Sequence, residues 1–174
     1  NMFDGINLQS GLYLLLISVV FLMKNIDPMF FVLNIIALIF FLYFNYKTKV
    51  FLGNNGIYFL AFLFSIFFIK SNNYIGKITI EEISILMMIP GLDMLRLFFN
   101  RIFNGKSPFL ADKNHIHHIL LNNYNNTKVA LIIFSLTLVP YFFYTIYDYA
   151  IFILTLQFIS YFLIIKSSNK IKSI

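Results

Sequence analysis

Long apolar runs separated by short polar clusters constrain this chain more than any other feature of its sequence. Hydrophobic residues make up 60% of the chain and charged residues only 11%, whereas about a quarter of the residues of a soluble domain are charged. So few charged side chains cannot cover such runs with a polar surface, and the lipid bilayer is therefore the expected solvent. The sequence predicts an integral membrane protein.

The apolar runs predict six helices. Their expected bounds are about 7–23, 29–46, 57–69, 79–103, 129–147 and 149–165. The third run is shorter than a hydrocarbon core of roughly 30 Å requires, so we expect it to extend into Asn54–Gly56 and Lys70–Asn72. Thr79 and Glu82 have the spacing of a capping box, and Pro90 is expected to kink the fourth helix. The predicted fold class is all-α, a polytopic bundle of about six transmembrane helices in one integral-membrane domain, 1–174.

The basic residues predict how the bundle is oriented. Of the 13 lysines and arginines, only Lys24, Lys70 and Lys77 fall on one side, and the remaining ten fall on the other. Because cytoplasmic loops carry the excess of basic residues, the loop 104–128 and the C-terminal tail are expected to be cytoplasmic. The net charge of +6 is scattered among apolar runs, so a nucleic-acid partner is not expected.

All three histidines lie in the stretch "SPFLADKNHIHHIL", residues 107–120. We expect Asp112 to be the N-cap of a helix with His115 in its first turn. His115 and His118 would then share one helix face, and His117 would point elsewhere. The spacing is not a zinc signature, and the chain has no cysteine. The neighbouring basic residues leave two interpretations open: a phosphate-binding loop, or a solvated basic loop against anionic lipid.

Three further polar clusters fall on the predicted cytoplasmic side. Asp93 lies in a predicted membrane helix, where an ionisable residue is costly and usually functional; a structural ion pair with Arg96 is the alternative. The stretch "NMFDGIN", residues 1–7, offers oxygen ligands that suit Mg²⁺, although Asp-Gly alone only indicates a turn. The stretch "FLGNNGI", residues 51–57, is interpreted as a turn that brings amide groups to the membrane surface.

Together and in this order, these clusters resemble the C-terminal half of the polyprenyl-phosphate N-acetylhexosamine-1-phosphate transferases, glycosyltransferase family 4. The pattern "R…GKSPF…DKNHIHH" is similar to the branch that uses GlcNAc-1-phosphate and undecaprenyl phosphate; the phospho-MurNAc-pentapeptide branch carries three adjacent histidines instead. The resemblance covers essentially the whole chain. It implies transfer of a sugar-1-phosphate from a UDP-sugar to undecaprenyl phosphate, with Mg²⁺ or Mn²⁺, on the cytoplasmic leaflet of the bacterial inner membrane. Such a reaction initiates a lipid-linked cell-surface glycan.

The resemblance also implies roles for individual residues. Asp4 and Asp93 are implied to be catalytic, and Asp4 and Asn54 to bind the metal. The substrate-binding residues that it implies are Asn1, Asn7, Arg101, Ser107, Asp112, His115, His117 and His118. Asn54 stands where the family commonly has an aspartate, so its departure from the pattern puts metal affinity in question.

The family's paired aspartates precede the region where this chain starts. The chain is therefore expected to be the C-terminal part of a longer transferase and to be inactive alone. The expected partners are a UDP-sugar, undecaprenyl phosphate and membrane lipid, with a homodimer as the alternative to a monomer. The alternative functions are a diverged inactive relative and a non-enzymatic polytopic membrane protein.

The distribution of basic residues makes the orientation testable. A reporter that is active only in the periplasm should stay silent when it is fused after Ile174. The same reporter inserted into the "SNNYIGK" loop, residues 71–77, should be active and serves as the control. Periplasmic activity of the C-terminal fusion would overturn the predicted topology.

Overall fold

The computed structural model describes residues 5–108 and 114–171, with side chains up to Ser168. Its helices are α1 (Gln9–Met23), α2 (Pro28–Tyr46), α3 (Gly53–Lys70), α4 (Ile80–Phe103), α5 (Ile116–Leu121), α6 (Asn126–Tyr147) and α7 (Ala150–Ile171). The residues described contain no strand, and the predicted all-α fold class is confirmed. All six predicted helices are present. The short helix α5, inside the histidine stretch, is the seventh.

Among the described residues, four segments are long and apolar enough to cross a membrane: α2, α3 with the π-helical turn after it, α6, and α7 as far as Ser168. α1 is apolar but has only 15 residues, and α4 is not among the four. Many large apolar side chains face outward; Phe40, Phe62 and Phe152 are 64%, 67% and 63% exposed. Such a surface is unfavourable in water and favourable in lipid, as expected for a multi-pass membrane protein.

α3 extends beyond its apolar run at both ends, as the sequence predicts. It begins at Gly53, and its last turn passes directly into the π-helical turn Ser71–Ile75. The segment Gly53–Ile75 has 23 residues. At about 1.5 Å per residue it is long enough to span a hydrocarbon core of roughly 30 Å.

The chain forms two compact units, and the division between them falls inside α4, between Ile83 and Ser84. In the first unit, stacked and tilted aromatic rings join α1, α2 and α3. Phe21 lies 4.7 Å from Phe31 and 4.9 Å from Phe68, measured between ring centroids. α1 and α2 also approach closely at Gly11, where an added Cβ would lie 2.6 Å from Leu42 Cδ2. Small residues at such positions are typical of helix packing in membranes.

The start of α4 has the capping box that the sequence predicts. The Thr79 backbone N–H donates to Glu82 Oε2 at 3.0 Å, and the Glu82 N–H donates to Thr79 Oγ1 at 3.2 Å. Glu82 is only 2% exposed, and its Oε1 lies 2.7 Å from Lys24 Nζ. The carboxylate therefore caps α4 and ties its first turn to the end of α1.

The second unit contains the rest of α4 together with α5, α6 and α7. α4 continues through Pro90, and the kink expected there stays a prediction. Gln157 of α7 is buried, and its Nε2 donates to the carbonyls of Ile85 at 3.1 Å and Leu136 at 3.0 Å. One amide side chain thus connects α7 to both α4 and α6 in an apolar environment.

Replacement of Glu82 by alanine should destabilise the protein, because it removes a capping bond and a mostly buried ion pair together. A hydrogen bond to a charged group contributes about 1.5–3 kcal/mol, and we expect a loss of unfolding free energy of about that size in detergent. Glu81→Ala is the matched control, since Glu81 is exposed and surface substitutions usually change stability by less than about 0.5 kcal/mol. Equal effects of the two substitutions would contradict the role assigned to Glu82.

Candidate functional site

The candidate site is organised around the carboxylate of Asp93, which is 4% exposed in α4. Its Oδ1 accepts hydrogen bonds from Arg96 Nη2 at 2.8 Å, from the Tyr161 hydroxyl at 2.8 Å and from the Ile116 backbone N–H at 3.1 Å. Its Oδ2 lies 2.8 Å from His115 Nδ1. Four donors on one buried carboxylate offset the cost of removing its charge from water.

Arg96 connects α4, in which it lies, to α7 and to the segment just before α5. Its Nε donates to the Tyr161 hydroxyl at 2.9 Å, and its Nη2 also donates to the carbonyl oxygen of Asn114 at 2.6 Å. The planar guanidinium has several donors in a fixed geometry and can serve all these acceptors at once. Asp93 and Arg96 therefore form the structural ion pair considered as the alternative, and this pair also holds the histidine stretch.

The short helix α5 begins differently from the prediction. It starts at Ile116, and His115 is its N-cap, with an extended backbone (φ −60°, ψ 151°) and no hydrogen bond from its side chain to the helix. The N-cap of α5 is thus His115 and not Asp112, and the expectation that His115 lies in the first helical turn is also wrong. Asp93 caps α5 instead, by accepting the N–H of Ile116. A carboxylate from a distant helix thus replaces a local cap, which sequence spacing does not reveal.

The three imidazoles lie side by side. His115 and His117 are 7% and 2% exposed, and their rings are parallel within 2° at a centroid distance of 5.6 Å. The rings of His117 and His118 are 4.2 Å apart. The prediction that His117 points away from the other two is therefore wrong. It assumed that His115 is helical, whereas the extended backbone of an N-cap follows a different side-chain geometry.

The surroundings determine which ring nitrogens are available. An ionised carboxylate can only accept, so His115 carries a proton on Nδ1 and turns its Nε2 away from Asp93. Burial, together with the neighbouring His118 and His115 rings, lowers the pKa of His117 to about 4. His117 is therefore neutral at pH 7, with one N–H donor and one acceptor nitrogen.

Arg101 holds the beginning of the histidine stretch. It lies in the last turn of α4, is 5% exposed, and donates from Nη1 to the carbonyl oxygen of Pro108 at 2.6 Å. The backbone turns at Gly105, two residues after the end of α4, where φ is 66°. Ser107 is exposed. Arg101 thus draws the chain back toward α4 before the stretch reaches the histidines.

Not all predicted site residues fall in this cluster. Asn7 is half-buried and Asn54 is exposed in the first turn of α3; both belong to the first unit. Asn1, Asp4 and Asp112 lie outside the described residues. Within residues 5–108 and 114–171, no group of three or more His, Asp or Glu side chains could hold a metal ion. The proposed metal ligands therefore stay predictions.

Tyr161 is the member of the cluster that sequence reasoning missed. It lies in α7, is fully buried, and is 68 positions away from Asp93 along the chain. It is one of 11 tyrosines in a sequence rich in aromatic residues. Its position in an apolar helix is typical of a core residue, and no local pattern distinguishes its hydroxyl from the others.

Known proteins named undecaprenyl-phosphate alpha-N-acetylglucosaminyl 1-phosphate transferase have sequences similar to this one. The Pasteurella multocida protein is 28% identical over 94 residues, which are 53% of this chain and 26% of that protein. The protein of Escherichia coli K12 is 29% identical over 93 residues, 52% of this chain and 25% of the relative. The protein of Haemophilus influenzae is 28% identical over 91 residues, 51% and 25% of the two chains.

This chain is related to these transferases. The resemblance that the motifs indicate is confirmed over about half of this chain, and the matched segment spans about a quarter of the length of each relative. No family model and no solved structure matches the chain.

The buried state of His117 predicts how stability depends on pH. The pKa of His117 is about 4 in the folded protein and about 6.5 in an unfolded chain, so between these values the unfolded state binds more protons. The contribution of His117 to stability should therefore be complete above about pH 6.5. The free energy of unfolding should fall as the pH decreases toward 4.

His117→Phe keeps an aromatic ring at this position and removes the titrating group. The unfolding free energy of this variant, measured in detergent at half-unit steps of pH, should fall less steeply between pH 6.5 and 4 than that of the wild type. The difference between the two proteins cancels the titration of other groups. Parallel curves would show that His117 is not held in its neutral form by folding.

Proposed function

We propose that the protein containing this chain transfers N-acetylglucosamine 1-phosphate from a UDP-sugar to undecaprenyl phosphate at the cytoplasmic face of the bacterial inner membrane. The product would be a lipid-linked diphosphate sugar that initiates a cell-surface glycan. The names of the related proteins support the acceptor and the sugar. The observation in the structure that carries the proposal is the Asp93–His115 pair, which fixes one histidine of the stretch that resembles the family's UDP-sugar loop.

The proposed reaction demands positioning and charge stabilisation more than covalent chemistry. Both substrates are phosphate anions, and their repulsion must be offset as they approach. A histidine whose Nδ1 is held by a carboxylate presents its Nε2 in a fixed direction. We propose that Nε2 of His115, in the doubly protonated form of the ring, donates to a diphosphate oxygen of the UDP-sugar.

The neighbouring residues would complete the contact with the UDP-sugar. His117 is neutral but keeps an N–H donor, and His118 is half-buried beside it. Arg101, from the last turn of α4, sets the path of the stretch and places a permanent positive charge near its start. Asn1, Asn7, Ser107 and Asp112 remain proposed substrate contacts on the strength of the family pattern.

Asp93 has a different proposed role from the catalytic one that the resemblance implies. Both of its carboxylate oxygens already accept hydrogen bonds within the protein. A general base needs an oxygen within hydrogen-bond reach of the substrate. We therefore propose that Asp93 is a positioning residue that orients His115 and caps α5. The catalytic carboxylate proposed for this chain is then Asp4.

The proposed metal is Mg²⁺, or Mn²⁺, with Asp4 and Asn54 among its ligands. When bound, such an ion would neutralise charge on the diphosphate. Of this ligand set the structure describes only Asn54, whose exposed amide offers an oxygen that suits a hard cation but carries no charge. Because the described residues do not assemble a metal centre, no step of the reaction is assigned to the ion. The same Asn54 favours the second candidate, a relative without transfer activity.

The proposal is tested by transfer from UDP-GlcNAc to undecaprenyl phosphate in membranes that contain the complete protein. His115→Ala and Arg101→Ala should each lower kcat/KM for the UDP-sugar by about 10- to 150-fold, since a charge-assisted contact to phosphate is worth about 1.5–3 kcal/mol. Lys106→Ala is the control, because Lys106 is an exposed basic residue of the same loop. Attraction to lipid headgroups is worth about 1 kcal/mol per basic residue and is screened by salt.

The assay is repeated at low and high salt to separate the two interpretations of the loop. If His115→Ala and Arg101→Ala lower kcat/KM by less than about threefold, and this loss vanishes at high salt, the loop is a basic surface and not a phosphate-binding site. A wild-type protein without turnover, with Mg²⁺ and both substrates present, would favour the inactive relative.

A further inference from the structure

We propose that Tyr161 is a positioning residue that holds the histidine stretch in place through Asp93. The assignment rests on the proposed function for its purpose, since it concerns the same histidines, but its geometry and its test do not depend on transfer activity. Tyr161 lies in α7, 68 positions away from Asp93 along the chain. Through Asp93 its hydroxyl would act on the imidazoles of the segment 115–118.

The Tyr161 hydroxyl uses both of its hydrogen-bonding capacities inside this cluster. It donates to Asp93 Oδ1 at 2.8 Å and accepts from Arg96 Nε at 2.9 Å. The side chain is fully buried, so water cannot replace either partner if the oxygen is removed. A buried hydroxyl with two charged partners belongs to a network in which the loss of one member leaves the others unsatisfied.

The oxygen of Asp93 that Tyr161 contacts is also the oxygen that caps α5. Asp93 Oδ1 accepts the Ile116 N–H at 3.1 Å, while Oδ2 holds His115 Nδ1 at 2.8 Å. The orientation of the carboxylate therefore sets both the start of α5 and the direction of the His115 ring. Tyr161 fixes that orientation from α7, and Arg96 fixes it from α4.

α5 depends on such contacts because it has only six residues. A helix this short is not stable by itself in water, since nucleation costs more than a few backbone bonds return. A second tie to α7 follows its C-terminal end, where Asn123 Nδ2 donates to the carbonyl oxygen of Ser168 at 3.0 Å. The Asn123–Ser168 and Tyr161–Asp93 hydrogen bonds share no atoms. Of these two, only the Tyr161 bond acts through the carboxylate that holds His115.

The alternative role of Tyr161 is packing alone. Its ring meets Phe162 edge to face, with the centroids 5.2 Å apart, and a buried aromatic ring contributes to any core. Tyr161→Phe separates the two roles, because it keeps the ring and removes only the oxygen. Tyr149→Phe is the matched control, since Tyr149 precedes α7 and is 68% exposed.

The test uses the 174-residue chain in detergent micelles with ¹⁵N-labelled histidine and no substrate. The chain has three histidines, so the ring spectrum contains three sets of signals, assigned by single His→Gln variants. In the wild type and in Tyr149→Phe, His115 should show one tautomer with the proton on Nδ1. In Tyr161→Phe the ¹⁵N shifts of His115 should move toward the values of a mixture of tautomers. If Tyr161 contributes packing alone, these shifts should stay as in the wild type.

Hydrogen exchange of the α5 amides provides a second measurement. Tyr161→Phe should speed exchange in Ile116–Leu121 by about tenfold or more, the loss expected for one charge-assisted hydrogen bond. Asn123→Ala should also speed exchange in α5 but leave the His115 ring signals as in the wild type. This contrast separates the orientation of the ring from the loosening of the helix.

Unchanged His115 signals and unchanged α5 exchange in folded Tyr161→Phe would overturn the proposal. Should that variant not fold, Tyr161→Met replaces it, because the adaptable methionine side chain fills much of the same space without a hydroxyl, and it should shift His115 in the same direction. An unshifted His115 in folded Tyr161→Met would equally overturn the proposal. Absence of transfer activity in the complete protein would contradict the proposed function. It would not change the role of Tyr161 measured by the ring signals and the hydrogen exchange.

Discussion

A single buried carboxylate organises the candidate site of this protein. In an apolar surrounding, the charge of Asp93 is stable only if it is paired and fully hydrogen-bonded, and that requirement draws four donors toward it. The donors come from α4, from the start of α5 and from α7. Removing any one would leave a buried group unsatisfied, so the polar network is specific in a way that apolar packing alone is not.

Both units combine apolar packing with hydrogen bonds between helices. The first packs Phe21, Phe31 and Phe68 between its helices, and a hydrogen bond of 2.9 Å joins Ser18 of α1 to Asn34 of α2. The second places polar groups within its helices, where Gln157 and Asp93 bind across to other segments. In lipid, apolar packing carries no hydrophobic driving force between helices. Hydrogen bonds of this kind therefore make a larger relative contribution to holding α7 in place.

The relatives and the geometry contribute different things to the functional proposal. Relatives at 28–29% identity over about half of the chain support the class of reaction that is proposed. The geometry gives the state of the histidines: His115 with one nitrogen held by Asp93, and His117 buried, with its pKa lowered to about 4. Together they support a loop whose imidazoles are arranged in advance, which would lower the cost of positioning in the proposed reaction between two anions.

The sequence by itself determined the all-α fold, the place of each long helix and the capping box at Thr79 and Glu82, because these depend on local periodicity and near-neighbour spacing. It also identified Asp93, through the cost of a charge in an apolar helix. It did not predict that His115 is an N-cap or that Tyr161 joins the cluster. Those outcomes depend on which side chains meet in three dimensions across 22 and 68 positions of chain. Only the tertiary structure decides such meetings, since a buried carboxylate takes the donors that packing brings within reach.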